Sequence, residues 1–168
     1  MDTAFWEATG WSLPETLEMV RMISRLVSAA LLGALIGGER EWHGMEAGLR
    51  THMLVALGAA LFTFVPLEAG GGTQEIAAIV RGIAPGIGFI GAGAILKLAA
   101  EREIKGLTTA GSVWLTAAVG YSAGAGFMWS ALVAALISLF VLIVLGWFES
   151  AFPRRTRKLE NDTRTLDK

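Results

Sequence analysis

The segment "WSALVAALISLFVLIVLGWF", Trp129 to Phe148, holds 20 residues and no charge. A helix of about 20 apolar residues matches the roughly 30 Å hydrocarbon core of a bilayer. Four more stretches share this character: about Met19–Gly38, Thr51–Leu67, Ile76–Ala99 and Leu107–Gly124. Inside a bilayer, backbone N–H and C=O groups find no water. A spanning segment therefore folds as a helix or as part of a closed barrel, and segments of this length are helical. The expectation is an all-α, polytopic membrane protein with five transmembrane helices. Composition agrees: 54% of residues are hydrophobic and 17% charged, where a soluble domain carries about 25%.

Five spans put the termini on opposite sides. Eleven of the 14 basic residues fall on one side: Arg40, Arg50, Lys97, Arg102, Lys105 and six in the tail. Only Arg21, Arg25 and Arg81 fall on the other. Basic loops stay in the cytoplasm, so the N-terminus is expected outside and the C-terminus inside. Residues 1–18 form an outer segment, 19–148 the membrane domain and 149–168 a basic cytoplasmic tail suited to anionic lipid headgroups. No basic region precedes an apolar run at the N-terminus, so no cleavable signal peptide is expected. Trp6, Trp11, Trp42, Trp129 and Trp147 fall near span ends, as an interfacial belt requires.

Within the third span, "PGIGFIGAGAIL" carries Gly86, Gly88, Gly91 and Gly93 at the spacing of a dinucleotide loop. That loop needs a preceding strand in a soluble βαβ unit, which this chain lacks. Two readings remain. Small residues let membrane helices approach closely; Gly82 and Gly86 are four apart, as are Gly33 and Gly37, and Gly120 and Gly124. Alternatively, Pro85 among these glycines breaks the helix and exposes backbone to a ligand, as in transporters. Packing is the favoured reading. Thr109, Ser112, Thr116, Gly120 and Ala123 place a small, polar stripe along the fourth span, which reads as a packing seam.

Two segments resemble one another: "GALIGGEREWHGMEAGLRTHMLVALGAA" from Gly33 and "GAILKLAAEREIKGLTTAGSVWLTAAVG" from Gly93. Both run span, Glu-Arg-Glu, loop, Gly-Leu-x-Thr, span. A tandem helical-hairpin repeat would bring the two loops together on one side.

The polar candidates lie in these loops. Glu39 follows Gly37-Gly38 at membrane depth, where a carboxylate is costly; its expected partner is Arg40, Arg50 or Arg102. Thr51, Thr108 and Thr109 open spans and are expected to cap them, and Glu39 or Glu101 is a candidate to dock on those helix ends. With Glu41, Glu101 and His52, these residues form the candidate ion-binding or structural cluster. Mg²⁺ takes carboxylate oxygens and waters and is the cation these acids suit, but no spacing demands a metal. Without cysteine, and with no third ligand near His43 and His52, a zinc site is not expected. No catalytic constellation appears, so no enzyme and no cofactor are expected. Nor is a nucleic-acid partner.

In order along the chain, "GALIGGEREWHGMEAGLRTHMLVALGAALF", "GIGFIGAGAIL" and "GLTTAGSVWLTAAVG" resemble the MgtC/SapB family of bacterial inner-membrane proteins. The match covers about Leu31 to Gly124. The resemblance implies a role linked to low Mg²⁺ and to survival of pathogens in host cells. It implies action by binding the membrane part of the F-type ATP synthase, with Mg²⁺ transport through Glu39 and a broken third helix as the alternative. Residues carried over by motif are Glu39, Arg40, Arg50, Thr51, His52, Gly88, Gly91, Gly93, Thr108, Thr109 and Trp114. Longer members have a cytoplasmic C-terminal domain; a short tail stands here. The glycine pairs Gly33/Gly37 and Gly82/Gly86 are the expected seams for self-association or partner contact.

Overall fold

A computed structural model describes residues 16–99 and 106–151. The described chain is helical and contains no strand. Helix α1 spans Thr16–Trp42, α2 Leu49–Glu68, α3 Thr73–Ala99 and α4 Leu107–Gly124. The fifth span begins with α5, Met128–Phe140, passes through a π-helical turn at Val141–Leu145, and ends in the short α6, Gly146–Ala151. Residues 1–15, 100–105 and those beyond Ala151 lie outside the described residues.

Each boundary has a local cause. Helix α1 carries Glu18 in its first turn and Arg40 in its last, matching the sign of the helix dipole at each end. At its end Gly44 adopts φ +67°. Its N–H bonds to Glu41 O at 3.0 Å, and Met45 N–H reaches back to Arg40 O at 2.9 Å. This left-handed stop satisfies carbonyls that the helix leaves open. Gly126 ends α4 in the same way, with φ +88° and bonds from Gly126 and Phe127 N–H to Ala123 and Ser122 O.

Four segments are long and apolar enough to cross a membrane: Thr16–Trp42, Leu49–Glu68, Gln74–Ile95 and Met128–Phe148. Helix α4, the fourth expected span, is less apolar, and its position explains why. It packs against α1, α2, α3 and α5, so protein covers most of it. Its buried residues include Thr109, Ser112, Thr116, Gly120 and Ala123, the polar stripe seen in the sequence. Such small residues suit a helix surrounded by other helices.

Helices α2 and α4 run parallel at the closest approach in the bundle. A Cβ built on Gly120 would collide with the Ala56 backbone, and one on Gly124 with the Ala60 backbone. Helix α1 packs antiparallel on α2 with similar closeness. A Cβ on Gly33 would lie 2.7 Å from His52 O, and one on Gly37 would lie 2.9 Å from Leu49 Cα. The core consists of small side chains around these contacts, including Ala29, Ile36, Ala56, Ala60, Val119 and Ala123.

Helix α3 is different. It rests on α4, where Gly91 meets Ala110 with a would-be Cβ 3.3 Å from Ala110 Cβ, and leaves most of its surface uncovered. The alternative of a break at Pro85 is not realised: α3 is continuous across it. Proline costs one backbone hydrogen bond and some crowding, a defect that membrane helices tolerate.

Candidate functional site

The polar candidates gather at the end of the bundle that carries the α1–α2 loop. Glu39 and Arg40 close α1 side by side. Arg40 Nε and Nη2 donate to the two Glu39 carboxylate oxygens, Nη2 to Oε1 at 2.7 Å. The side chains are 7% and 5% exposed. His43, one turn on, brings Nδ1 to 3.0 Å from Glu39 Oε1 and 2.9 Å from Glu39 O. Of the three expected partners of Glu39, Arg40 is the one it meets. Arg50 is exposed on the first turn of α2, and Arg102, like Glu101, lies outside the described residues. A pair this well buried is retained only when its geometry is good and its remaining atoms are satisfied.

Capping differs from expectation. The residues before α2 and α4 are Gly48 and Gly106, and neither helix has a side-chain cap. Thr51 therefore sits inside α2, and Thr108 and Thr109 inside the first turn of α4. A glutamate does dock on the start of α2, but it is Glu41: its Oε2 accepts the Leu49 N–H at 2.8 Å. Gly48 makes room for it, since a Cβ there would lie 2.7 Å from that oxygen. Glu39 faces the other way and is held by Arg40.

His52 is fully buried. Its Nδ1 lies 2.9 Å from Gly48 O and its Nε2 3.1 Å from Ser112 Oγ. The carbonyl accepts only, so Nδ1 carries the proton of that bond. The imidazole thus ties α2 to α4 at the level where α1 crosses them. Ser112 was visible in the sequence as part of the stripe, but the His52–Ser112 link was not.

At the opposite end, Arg25 on α1 donates from Nη1 to Gly124 O at 3.1 Å. Its guanidinium lies 5.5 Å from the Phe64 ring centroid and 3.9 Å from Glu68 Oε1, which Arg21 also approaches at 3.7 Å. Arg25 thereby joins α1, α2 and the C-terminal carbonyls of α4. Arg81, by contrast, is exposed on α3.

The glycines divide into two sets. Gly33 and Gly37 are consumed inside the fold by α2, so they are unavailable to a partner. Gly82, Gly86, Gly88 and Gly93 have no heavy atom of the described residues within 4 Å of where a Cβ would stand, so they do not serve packing among those residues. Gly91 is the one glycine of the Pro85–Leu96 run that does. Gly82 and Gly86, with Gly58, instead line an open apolar groove of about 640 Å³ between α2 and α3. Its other walls include Leu54, Phe62, Ile83 and Ile90.

A second cavity, about 780 Å³, opens beside the Glu39–Arg40 pair. Glu39, Arg40, His43 and Thr108 line one side, and Val141, Ile143, Leu145 and Trp147 the other. Among the described residues, no group of three or more His, Asp or Glu is placed to hold a metal ion.

Comparison with known proteins places the chain. The MgtC family model matches residues 26–151. SrpB of Synechococcus elongatus is 40% identical over 129 residues, covering 70% of this chain and 71% of SrpB. MgtC of Salmonella typhimurium strain LT2 is 40% identical over 133 residues, covering 79% of this chain and 56% of MgtC. YhiD of Escherichia coli K12, whose name describes a candidate magnesium transporter, is 38% identical over 129 residues, covering 73% of this chain and 59% of YhiD. The chain thus spans under two thirds of MgtC and of YhiD. No solved structure matches it significantly. With a helical bundle of membrane-spanning length and a family match over most of its residues, the chain belongs to the MgtC family of multi-pass bacterial inner-membrane proteins.

Proposed function

We propose that this chain serves Mg²⁺ homeostasis as a non-enzymatic docking protein, receiving a transmembrane helix of a partner in the groove between α2 and α3. The link to Mg²⁺ comes from family membership and from the name of YhiD. The observation that carries the docking reading is the open groove itself. Its floor holds Gly58, Gly82 and Gly86, none with a neighbour within 4 Å of a would-be Cβ. Glycines four apart on a membrane helix form the surface on which a second helix packs backbone to backbone. The resemblance to the family nominates the membrane subunits of the F-type ATP synthase as that partner.

A carrier would need a polar path. The polar side chains of this core are taken up within the bundle: Thr63 by Ala59 O, Thr116 by Ser112 O, and Ser112 by the His52 imidazole. Glu39, the carboxylate a cation would seek, is already neutralised by Arg40. These arrangements favour docking over transport.

The chain has no cysteine, so Gly86→Cys introduces a single thiol into the groove. Oxidative crosslinking in membranes holding cysteine-scanned ATP synthase membrane subunits tests the contact. A heterologous crosslink from position 86, absent from an exposed control position on α5 such as Ile137→Cys, is expected. Crosslinks only between copies of this chain would replace the partner by self-association. Glu39-dependent Mg²⁺ flux into proteoliposomes would restore the carrier.

A further inference from the structure

The cavity beside Glu39 and Arg40 has a chemistry that the docking groove does not use. Its polar side combines the Arg40 and Thr108 donors with a Glu39 carboxylate that Arg40 and His43 already hold. Arg40 is 4% exposed as a residue and spends Nε and Nη2 on Glu39. Its Nη1 is not used by Glu39. Arg40 lines the cavity. The exposed Thr108 lines the same side, and its hydroxyl is a further donor. The Glu39 carboxylate is taken up by Arg40 and His43, which offsets its repulsion of an anion.

The opposite side is apolar. Val141, Ile143 and Leu145 all leave substantial surface uncovered. They stand on the π-helical turn, a distortion that often marks functional positions in helices. Trp42 and Trp147 are exposed at this end of the bundle, and tryptophan favours the headgroup level of a bilayer. The cavity is thus amphipathic, is lined by a guanidinium with one nitrogen that Glu39 does not use, and sits at the depth of lipid phosphates.

We propose that this cavity is a phospholipid site, in which the lipid phosphate meets Nη1 of Arg40 and the Thr108 hydroxyl while an acyl chain lies along Val141, Ile143 and Leu145. Guanidinium suits phosphate because its planar donors meet two oxygens at once. The site is independent of the α2–α3 groove and of any partner seated there.

Native mass spectrometry of the full-length protein in detergent tests this. The probes are phosphatidylglycerol, diacylglycerol with the same chains, and inorganic phosphate. One phosphatidylglycerol is expected to be retained at least about tenfold more strongly than diacylglycerol, the scale of one charge-assisted hydrogen bond. Arg40→Lys cannot both hold Glu39 and present a second donor edge, and should lose most of that preference. If Arg40→Lys fails to fold by circular dichroism, Thr108→Val and Ile143→Trp decide. The first removes a donor at an exposed position and the second fills the apolar wall, and each should weaken retention several-fold. Equal retention of the two lipids, or full retention by the last two variants, overturns the proposal. So does competition by inorganic phosphate at equal concentration, which would make the site one for free phosphate.

Discussion

His52 on α2 and Ser112 on α4 meet inside the bundle near its α1–α2 loop end, Nε2 to Oγ at 3.1 Å, with no solvent access to the imidazole. They are 60 residues apart in sequence. The bond lies one turn before Ala56 on α2 and about two turns before Gly120 on α4, so it helps set the register of the two helices. Ser112→Ala should lower stability by about 1 kcal/mol, the worth of one buried hydrogen bond. His52→Ala should cost more, about 3 kcal/mol, because it also leaves a cavity. Thermal melts in detergent measure both. A double-mutant cycle should show coupling of at least about 0.5 kcal/mol; strictly additive losses would mean that the two side chains do not interact.

Gly120 and Gly82 give a paired test of the packing. Gly120 lies against the Ala56 backbone, whereas Gly82 has open space. Gly120→Val should destabilise the bundle by about 3 kcal/mol, at the upper end for overpacking. Gly82→Val should leave the melt unchanged or slightly raised, since glycine is a poorer helix former than valine. Equal melting of the two variants would sink the assignment of α2 as the neighbour of Gly120.

Glu39→Gln leaves the Arg40 charge without its counter-ion in a site that is 5% exposed. Removing one member of a buried pair costs about 3–5 kcal/mol. The double variant Glu39→Gln with Arg40→Gln should recover much of this loss, because no buried charge then remains. A single variant that unfolds in urea like the wild type would show that the pair is solvated.

Arg25→Gln should loosen the far end of the bundle by about 1–2 kcal/mol, through loss of the bond to Gly124 O and of the Phe64 contact. Glu68→Gln should cost under about 1 kcal/mol, as a partly exposed pair does. Unfolding in sodium dodecyl sulfate distinguishes them. A larger effect at Glu68 would move the weight of this cluster from the helix end to the ion pair.

Several candidate residues could be named from sequence but not placed. Glu39 stood out because it follows two glycines inside an apolar stretch. Its partner was one of three basic residues until the fold chose the adjacent Arg40. The expectation that a threonine caps each second helix failed for a local reason. Gly48 and Gly106 occupy the cap positions, and the Glu41 carboxylate, eight residues before Leu49, does for α2 what Thr51 was expected to do. The bond from Arg25 to Gly124 spans 99 residues and leaves no mark in local pattern.

The sequence by itself determined that this chain is an all-α membrane protein, which segments are helices, and nearly where each begins and ends. These are properties of single segments: apolar length against bilayer thickness, and a backbone that must satisfy its own hydrogen bonds where water is absent. Only the tertiary structure decided which small face meets which. Gly33/Gly37 and Gly82/Gly86 have the same spacing in similar surroundings, yet α2 fills the first pair and leaves the second open. Close approach depends on the surfaces of both helices at once. Ala56 and the His52 backbone supply the complement for α1, and α3 leans on α4 through Gly91 and Ala110 instead, which leaves the Gly82 face to the lipid or to a partner.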